Sequence, residues 1–374
     1  MAAIQHVGTG VIFRNPKPHL RSVHAYFPWV TALPSGELLA SFQVGSAFEA
    51  ADAHCELARS TDNGETWRLT GPLYPGTGPE RPTSDCFKVT ADPSGAVIAF
   101  GSRFDRSDPE ASICNDETGG ILPMEVLVSL SADGGRTWPE PTRINAPIAG
   151  SFEAQAPVEV LADGRWIVPV STWRNWDGSH PNGDKTLALI SDDKGHSWPH
   201  VTALFEDPRQ RLIFWEVRII QMQPGELLAV GWAHDQIEGK DIQNQFSLSH
   251  DGGGTWSEFC SLGFNGQSCC PAYLGDGRVL FTYNYRYDEP GVRARLARLE
   301  ADQWLVEDEL VLWGVGAEGR GEARQDDKRM VHEMSSFKFG QPSPHLLPDG
   351  TIFTTHWCVD DCVGEIRWNR LVVD

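Results

Sequence analysis

Acidic side chains rarely open hydrophobic strands unless they meet water, a partner or a ligand. This chain puts three carboxylates at such positions, Asp85, Glu153 and Glu216. Glu216 interrupts the apolar run Leu212–Ile220, between Trp215 and Arg218, and Glu153 follows Phe152. Two carboxylates across a cavity are the minimal equipment for glycoside hydrolysis, one protonating the leaving oxygen and the other attacking the anomeric carbon or activating a water. Glu216 is the first choice for nucleophile or base, with Glu153 as a candidate acid. A rival chemistry is elimination on a uronic acid, with His24 as base, Tyr26 as acid, and Arg103, Arg174, Arg286 and Arg293 neutralising the uronate.

These residues need a scaffold that brings distant segments to one place, and two interleaved repeats supply it. The first is an apolar strand, a glycine turn and a second apolar strand. Its six turns are Pro34-Ser35-Gly36, Pro93-Ser94-Gly95, Ala162-Asp163-Gly164, Gln223-Pro224-Gly225, Gly275-Asp276-Gly277 and Pro348-Asp349-Gly350. The second is Ser-x-Asp-x-Gly-x-Thr/Ser-Trp, beginning at Ser60, Ser131, Ser191 and Ser249. Pitches of 71, 60 and 58 residues point to a propeller or solenoid. The phrase suits a tight hairpin: its glycine takes positive φ, its aspartate accepts turn N–H groups, and its tryptophan packs on neighbouring strands.

Together the repeats predict an all-β chain: a six-bladed β-propeller of four-stranded antiparallel blades, with residues 1–374 as a single domain. The glycine turns join each blade's inner strands and four phrases join outer strands. A remnant without glycine, Glu300-Ala301-Asp302-Gln303-Trp304, serves blade 5, and an N-terminal strand near Val7–Phe13 completes blade 6. Innermost strands begin at the central cavity, so residues six to eight positions before each turn line its mouth: Tyr26 and Phe27, Asp85 and Cys86, Glu153 and Gln155, Glu216, Gln267 and Ser268, and Gln341. The groups expected to hold substrate are Asp85, Gln155, Arg174, Arg218, Trp232, Arg286, Arg293 and Gln341. Trp173, Trp176, Trp232 and Trp357 could form a floor for stacking on a sugar. The charged interval Leu310–Lys338 reads as a solvated insertion.

A net charge of −20 disfavours a phosphate backbone as partner. No stretch is apolar enough to span a membrane, and the N-terminus lacks the regions of a signal peptide. A cytoplasmic protein without nucleic-acid or membrane partners is expected, its eight cysteines remaining thiols. No motif calls for a metal or cofactor, and the oligomeric state is unknown from sequence.

The eight-residue phrase is the Asp-box, and its repetition resembles the sialidase (neuraminidase) superfamily of six-bladed propellers. In that family the boxes sit on outer strands, away from the active site. The resemblance aligns Tyr26-Phe27-Pro28 with the Arg-Ile-Pro that opens the sialidase ring, so Tyr26 stands at the first arginine of the carboxylate-binding triad. Glu216 stays in register with the sialidase glutamate, Trp232 occupies the second arginine's place, and Arg293, Arg295 and Arg298 compete for the third. Gln341 falls on the tyrosine nucleophile, and Glu49, with Asp52 as near alternative, on the acid/base aspartate. A triad of arginines serves a substrate carboxylate. Its erosion implies an exo-acting glycosidase for another sugar, resembling the exo-arabinanase branch with its glutamate pair. A true exo-sialidase, a uronide lyase and a non-catalytic carbohydrate-binding propeller are the alternatives.

Overall fold

The computed structural model describes residues 2–78, 80–154, 156–301, 303–314 and 337–374. It is a six-bladed β-propeller, and the described residues contain no helix. Blade 1 is built from His24–Ala32, Leu38–Gly45, His54–Ser60 and Arg68–Pro72, and blade 2 from Thr83–Ala91, Val97–Asp105, Met124–Ser131 and Thr142–Arg143. In blade 3 the inner strand is split into Ser151–Glu153 and Glu159–Val160, followed by Trp166–Trp173, Lys185–Ser191 and His200–Glu206. Blade 4 comprises Leu212–Gln223, Glu226–Asp235, Lys240–Ser249 and Cys260–Ser261. Blade 5 comprises Gln267–Gly275, Arg278–Tyr285, Gly291–Glu300 and Gln303–Gly314. Blade 6 joins both ends of the chain: Phe339–Leu346, Ile352–Asp360 and Val363–Val373 are completed by Ile4–Arg14, which runs antiparallel to the last strand from Ile4 opposite Val373 to Arg14 opposite Glu365. Within the interval expected to be an insertion, Leu310–Gly314 ends a strand of blade 5, whereas Gly319–Arg329 lies outside the described residues. All eight cysteines are free thiols.

The Asp-boxes close the outer hairpins through one repeated pattern. In the first, the Ser60 hydroxyl donates to Asp62 (2.7 Å) and accepts the Gly64 N–H (2.8 Å), while Asp62 also accepts the Thr66 N–H (2.9 Å) and hydroxyl (2.5 Å). The Thr66 hydroxyl and N–H hold the Asp62 carboxyl down to about 2, and the Ser197 groups do the same for Asp193. The same contacts recur at Asp133 and Asp251.

Each box also clamps its blade to a neighbour. A Cβ added to Gly64 of blade 1 would stand 2.5 Å from Phe353 of blade 6; at Gly135 of blade 2, 2.6 Å from Leu39 of blade 1; at Gly253 of blade 4, 2.5 Å from Ile167 of blade 3. Trp198 of blade 3, fully buried, packs on Phe100 of blade 2 at 5.4 Å. Glycine is thus required at Gly64 twice over, for its φ of 90° and for the close approach of the next blade. We expect Gly64→Ala to cost about 2–4 kcal/mol of stability, and Gly36→Ala about 1 kcal/mol, since Gly36 shares the positive φ but has nothing within 4 Å. Urea denaturation of both variants checks the difference; equal losses would mean that the blade contact contributes nothing.

Candidate active site

Inner strands deliver side chains to the axis, and in four of them the delivery depends on a bulge. The register slips between Tyr26 and Trp29, Trp215 and Arg218, Gln267 and Cys270, and Gly340 and Ser343. Each slip holds one non-glycine residue in the left-handed region: Phe27 (φ 57°), Glu216 (φ 53°), Ser268 (φ 52°) and Gln341 (φ 40°). Such a backbone costs about 1–3 kcal/mol per residue and re-aims the side chain. All four line the central cavity.

That cavity has two lobes, about 170 Å³ against blades 1 to 3 and about 330 Å³ toward blades 4 to 6. Glu216, Gln341, Phe27, Trp173, Trp215 and Trp232 border both, so Glu216 stands at the waist. Gln341 donates its amide N–H groups to both Glu216 oxygens, at 2.6 and 2.5 Å, and Arg218 donates to one of them at 3.0 Å. Lys88 of blade 2, only 2% exposed, donates to the Gln341 amide oxygen at 3.3 Å and to the Phe27 carbonyl. Because that oxygen faces a lysine, the amide nitrogen must face the glutamate. Burial pulls the Lys88 amine down from its ordinary value. Four blades therefore meet in one hydrogen-bonded chain.

The two other glutamates line the smaller lobe. Glu49 accepts the Ser112 hydroxyl (3.1 Å) and the Ile113 N–H (3.2 Å), so the loop after Asp105 fixes it. Glu153 sits opposite Ser171 at the end of its short strand. Asp52, the near alternative to Glu49, is exposed and accepts the Ser46 N–H and hydroxyl. Arg174, Arg286 and Trp232 border the larger lobe, and Arg218 the smaller; Trp176 is 38% exposed.

Several expected positions are corrected. Tyr26 and His24 border neither lobe. Tyr26 is buried between blades 1 and 6, with Phe48 at 4.8 Å and Trp357 at 5.1 Å, and its burial raises its pKa; His24 stacks on it at 6.0 Å. The bulge at Phe27 is the cause, because it turns Phe27 to the axis and its neighbour to the core. Asp85 also faces away: the inner strand of blade 2 runs without a bulge, so Cys86 and Lys88 share the axial face, and Asp85 accepts the Cys55 N–H at 2.8 Å between blades 1 and 2. Arg293 lies off the cavity, stacked on Tyr285 (3.8 Å) and paired with Glu309 (3.2 Å). Arg295 and Arg298 are likewise bonded to the outer-strand acids Glu309 and Glu307. Gln155 lies outside the described residues.

Sequence reasoning nominated Gln267 and Arg286 but missed Lys88 and, on the larger lobe, their partners Asp241, His234 and Tyr287. Asp241 accepts from His234 (2.9 Å), Gln267 (2.7 Å) and Tyr287 (3.3 Å), and Gln267 in turn accepts from Arg286 at 2.6 Å. Lys88 was detectable, two residues after Cys86 and thus on the same strand face; the bulges and the His234–Asp241 pairing leave no such signal.

Residues 112–314 match the family described as the BNR repeat-like domain. No curated protein matches the sequence. Among solved structures, a protein of unknown function from Dyadobacter fermentans shares 20% identity with a TM-score of 0.74, each chain covered to 99%. The NanB sialidase of Streptococcus pneumoniae shares 12% identity at a TM-score of 0.65, over 97% of this chain and 70% of that one. The Trypanosoma rangeli sialidase, solved with sialic acid, shares 14% at 0.65, over 99% of this chain and 60% of that one.

Burial pushes the Asp85 carboxyl up to about 6, against an unfolded value of about 3.9. A raised carboxyl contributes its stability in full below the unfolded value and loses it as pH rises through the folded one. Asparagine at this position keeps an oxygen for the Cys55 N–H and cannot ionise. The stability of Asp85→Asn relative to wild type is therefore expected to rise between about pH 4 and 6 and level off above. Thermal melts across that range test this, and a pH-independent difference would show that Asp85 titrates normally.

Proposed function

Because the chain belongs to the BNR repeat-like family and shares the propeller fold of the sialidases, we propose that it is a glycoside hydrolase acting on an uncharged sugar through Glu216. The observation that carries this reading is the strained Glu216 at the waist of the cavity, gripped by Gln341 and Arg218. Phe27, Ser268 and Gln341 share the strained backbone, so what singles out Glu216 is a carboxylate held at the axis by a network spanning four blades. Glu216 serves as nucleophile or as the base that activates water, and Glu49 or Glu153 protonates the leaving oxygen.

An uncharged sugar is favoured because the arginines of the cavity have other partners. Arg286 donates to Gln267 and to the Phe339 carbonyl with its face on Phe337 (3.9 Å), Arg218 to Glu216 and the Val217 carbonyl, and Arg174 stands 4.0 Å from Asp184. A substrate carboxylate would have to compete with Glu216 for Arg218 and with Asp184 for Arg174, whereas the partners of Arg286 are neutral. The elimination reading loses its support, since neither His24 nor Tyr26 reaches the cavity.

The experiment is a hydrolysis screen with aryl glycosides: a sialoside, a glucuronide, an arabinofuranoside, a rhamnoside and a glucoside. A neutral glycoside is expected to respond, with Glu216→Gln losing about a thousandfold or more in kcat while melting within a few degrees of wild type. Lys88→Met frees the Gln341 amide to turn; we expect kcat to fall about tenfold with KM nearly unchanged, the signature of lost positioning. Inertness across the panel, together with equal sugar binding by wild type and Glu216→Gln, would establish a binding propeller instead.

A further inference from the structure

The two lobes of the cavity differ in chemistry. The smaller is bordered by Phe104, Ile113 and Ile121, which the larger lacks, and by Phe27, Phe48 and Trp173, which border both. Two of these belong to a loop of blade 2 rather than to a strand. That loop is tied down by the Leu122 N–H on the Ile113 carbonyl (2.8 Å) and the Ile121 N–H on the Arg174 carbonyl (3.0 Å), and it packs on Phe104 and Trp173. A surface loop fixed so that two isoleucines face a cavity provides for an apolar ligand. Sugar hydroxyls placed against those walls would lose hydrogen bonds to water without replacement. The larger lobe also has aromatic walls, Trp215, Phe337 and Trp357 among them, but lacks these isoleucines and adds Asp184, His234, Asp241, Gln267 and Asn284, which carry donors and acceptors suited to hydroxyls.

From this asymmetry we propose that the smaller lobe is an aglycone site, and that the substrate is a glycoside of a small aromatic or similarly sized apolar alcohol. The assignment rests on the hydrolase reading above. Its volume of about 170 Å³ fits one ring, since a dry apolar cavity of about 150 Å³ holds benzene. The carboxyls fall where the bond requires them: Glu49 and Glu153 border the aglycone lobe, and Glu216 stands at the waist. In the reaction the bond between anomeric carbon and aglycone oxygen breaks and that oxygen takes the proton of the acid, leaving as the phenol or alcohol. Water supplies the hydroxyl that ends on the sugar, and its remaining proton returns to the carboxylates.

The test uses phenol as probe, titrated onto the whole protein and followed by ligand-observed NMR. Saturable binding by wild type is expected. Ala156→Trp, which fills the lobe, should weaken it at least tenfold, and Ile113→Asn, on the loop and free of any core clash, about fivefold. Absence of phenol binding, or equal binding by wild type and both variants, overturns the assignment. Turnover separates this claim from the one beneath it. Phenol bound as expected with no glycoside cleaved would defeat the hydrolase reading and leave the apolar site standing. Phenyl and methyl glycosides cleaved with similar kcat/KM by wild type and Ala156→Trp alike would defeat the aglycone site and leave the hydrolase.

Discussion

The carboxylate of Glu216, held on the axis of the ring by donors from two blades, is the interaction on which the rest depends. Its grip uses Gln341 of blade 6 and Arg218 of its own blade, and Gln341 is oriented by Lys88 of blade 2, which also binds the Phe27 carbonyl of blade 1. No pair of adjacent strands could assemble that set. It exists only when residues 27, 88, 216 and 341 are brought to one point, which is what closing six blades into a ring achieves. Ring closure in turn relies on Ile4–Arg14 pairing with Val363–Val373, so both ends of the chain support a site that neither touches.

Four left-handed residues stand on the axis, where bulges turn side chains inward. At the periphery the serine and aspartate of each Asp-box bond within the box, and its glycine at positions 64, 135 and 253 is wedged against the next blade, so that a Cβ there would collide with Phe353, Leu39 or Ile167. Interdigitation of this density gives each blade little freedom to shift. A rigid rim carrying a strained centre is a general arrangement for a preorganised site.

Much of the architecture was legible because it rests on local chemistry that repeats. A glycine turn needs its glycine and an Asp-box needs its serine, aspartate and tryptophan, so six and four copies declared six blades and their outer hairpins. The axial site was legible only where a side chain's direction follows from strand position. Glu216, Glu153, Glu49 and Gln341 border the cavity, but Tyr26 and Asp85 do not, for opposite reasons. In blade 1 a bulge shifts the alternation by one residue and exchanges Tyr26 for Phe27; in blade 2 the lack of a bulge puts Cys86 and Lys88 inward. A one-residue slip reverses every side chain of a strand, and no residue type announces it here, because phenylalanine, glutamate, serine and glutamine all occupy the left-handed position. The likeness to sialidases drew attention to Arg293, yet it is Arg286, just past the end of the preceding strand, that reaches the cavity.

The central claim is that Glu216 faces the sugar at the point of bond cleavage, and a bound complex tests it most directly. The measurement is diffraction from crystals of Glu216→Gln soaked with the phenyl glycoside that wild type cleaves fastest. The account predicts a sugar ring in the larger lobe, its anomeric carbon within about 3.5 Å of the residue 216 side chain if attack is direct or one water away if it is not, and its phenyl group against Ile113 and Phe104. A sugar bound elsewhere on the propeller, or seated in the cavity with Gln341 and Trp215 between it and position 216, would contradict it.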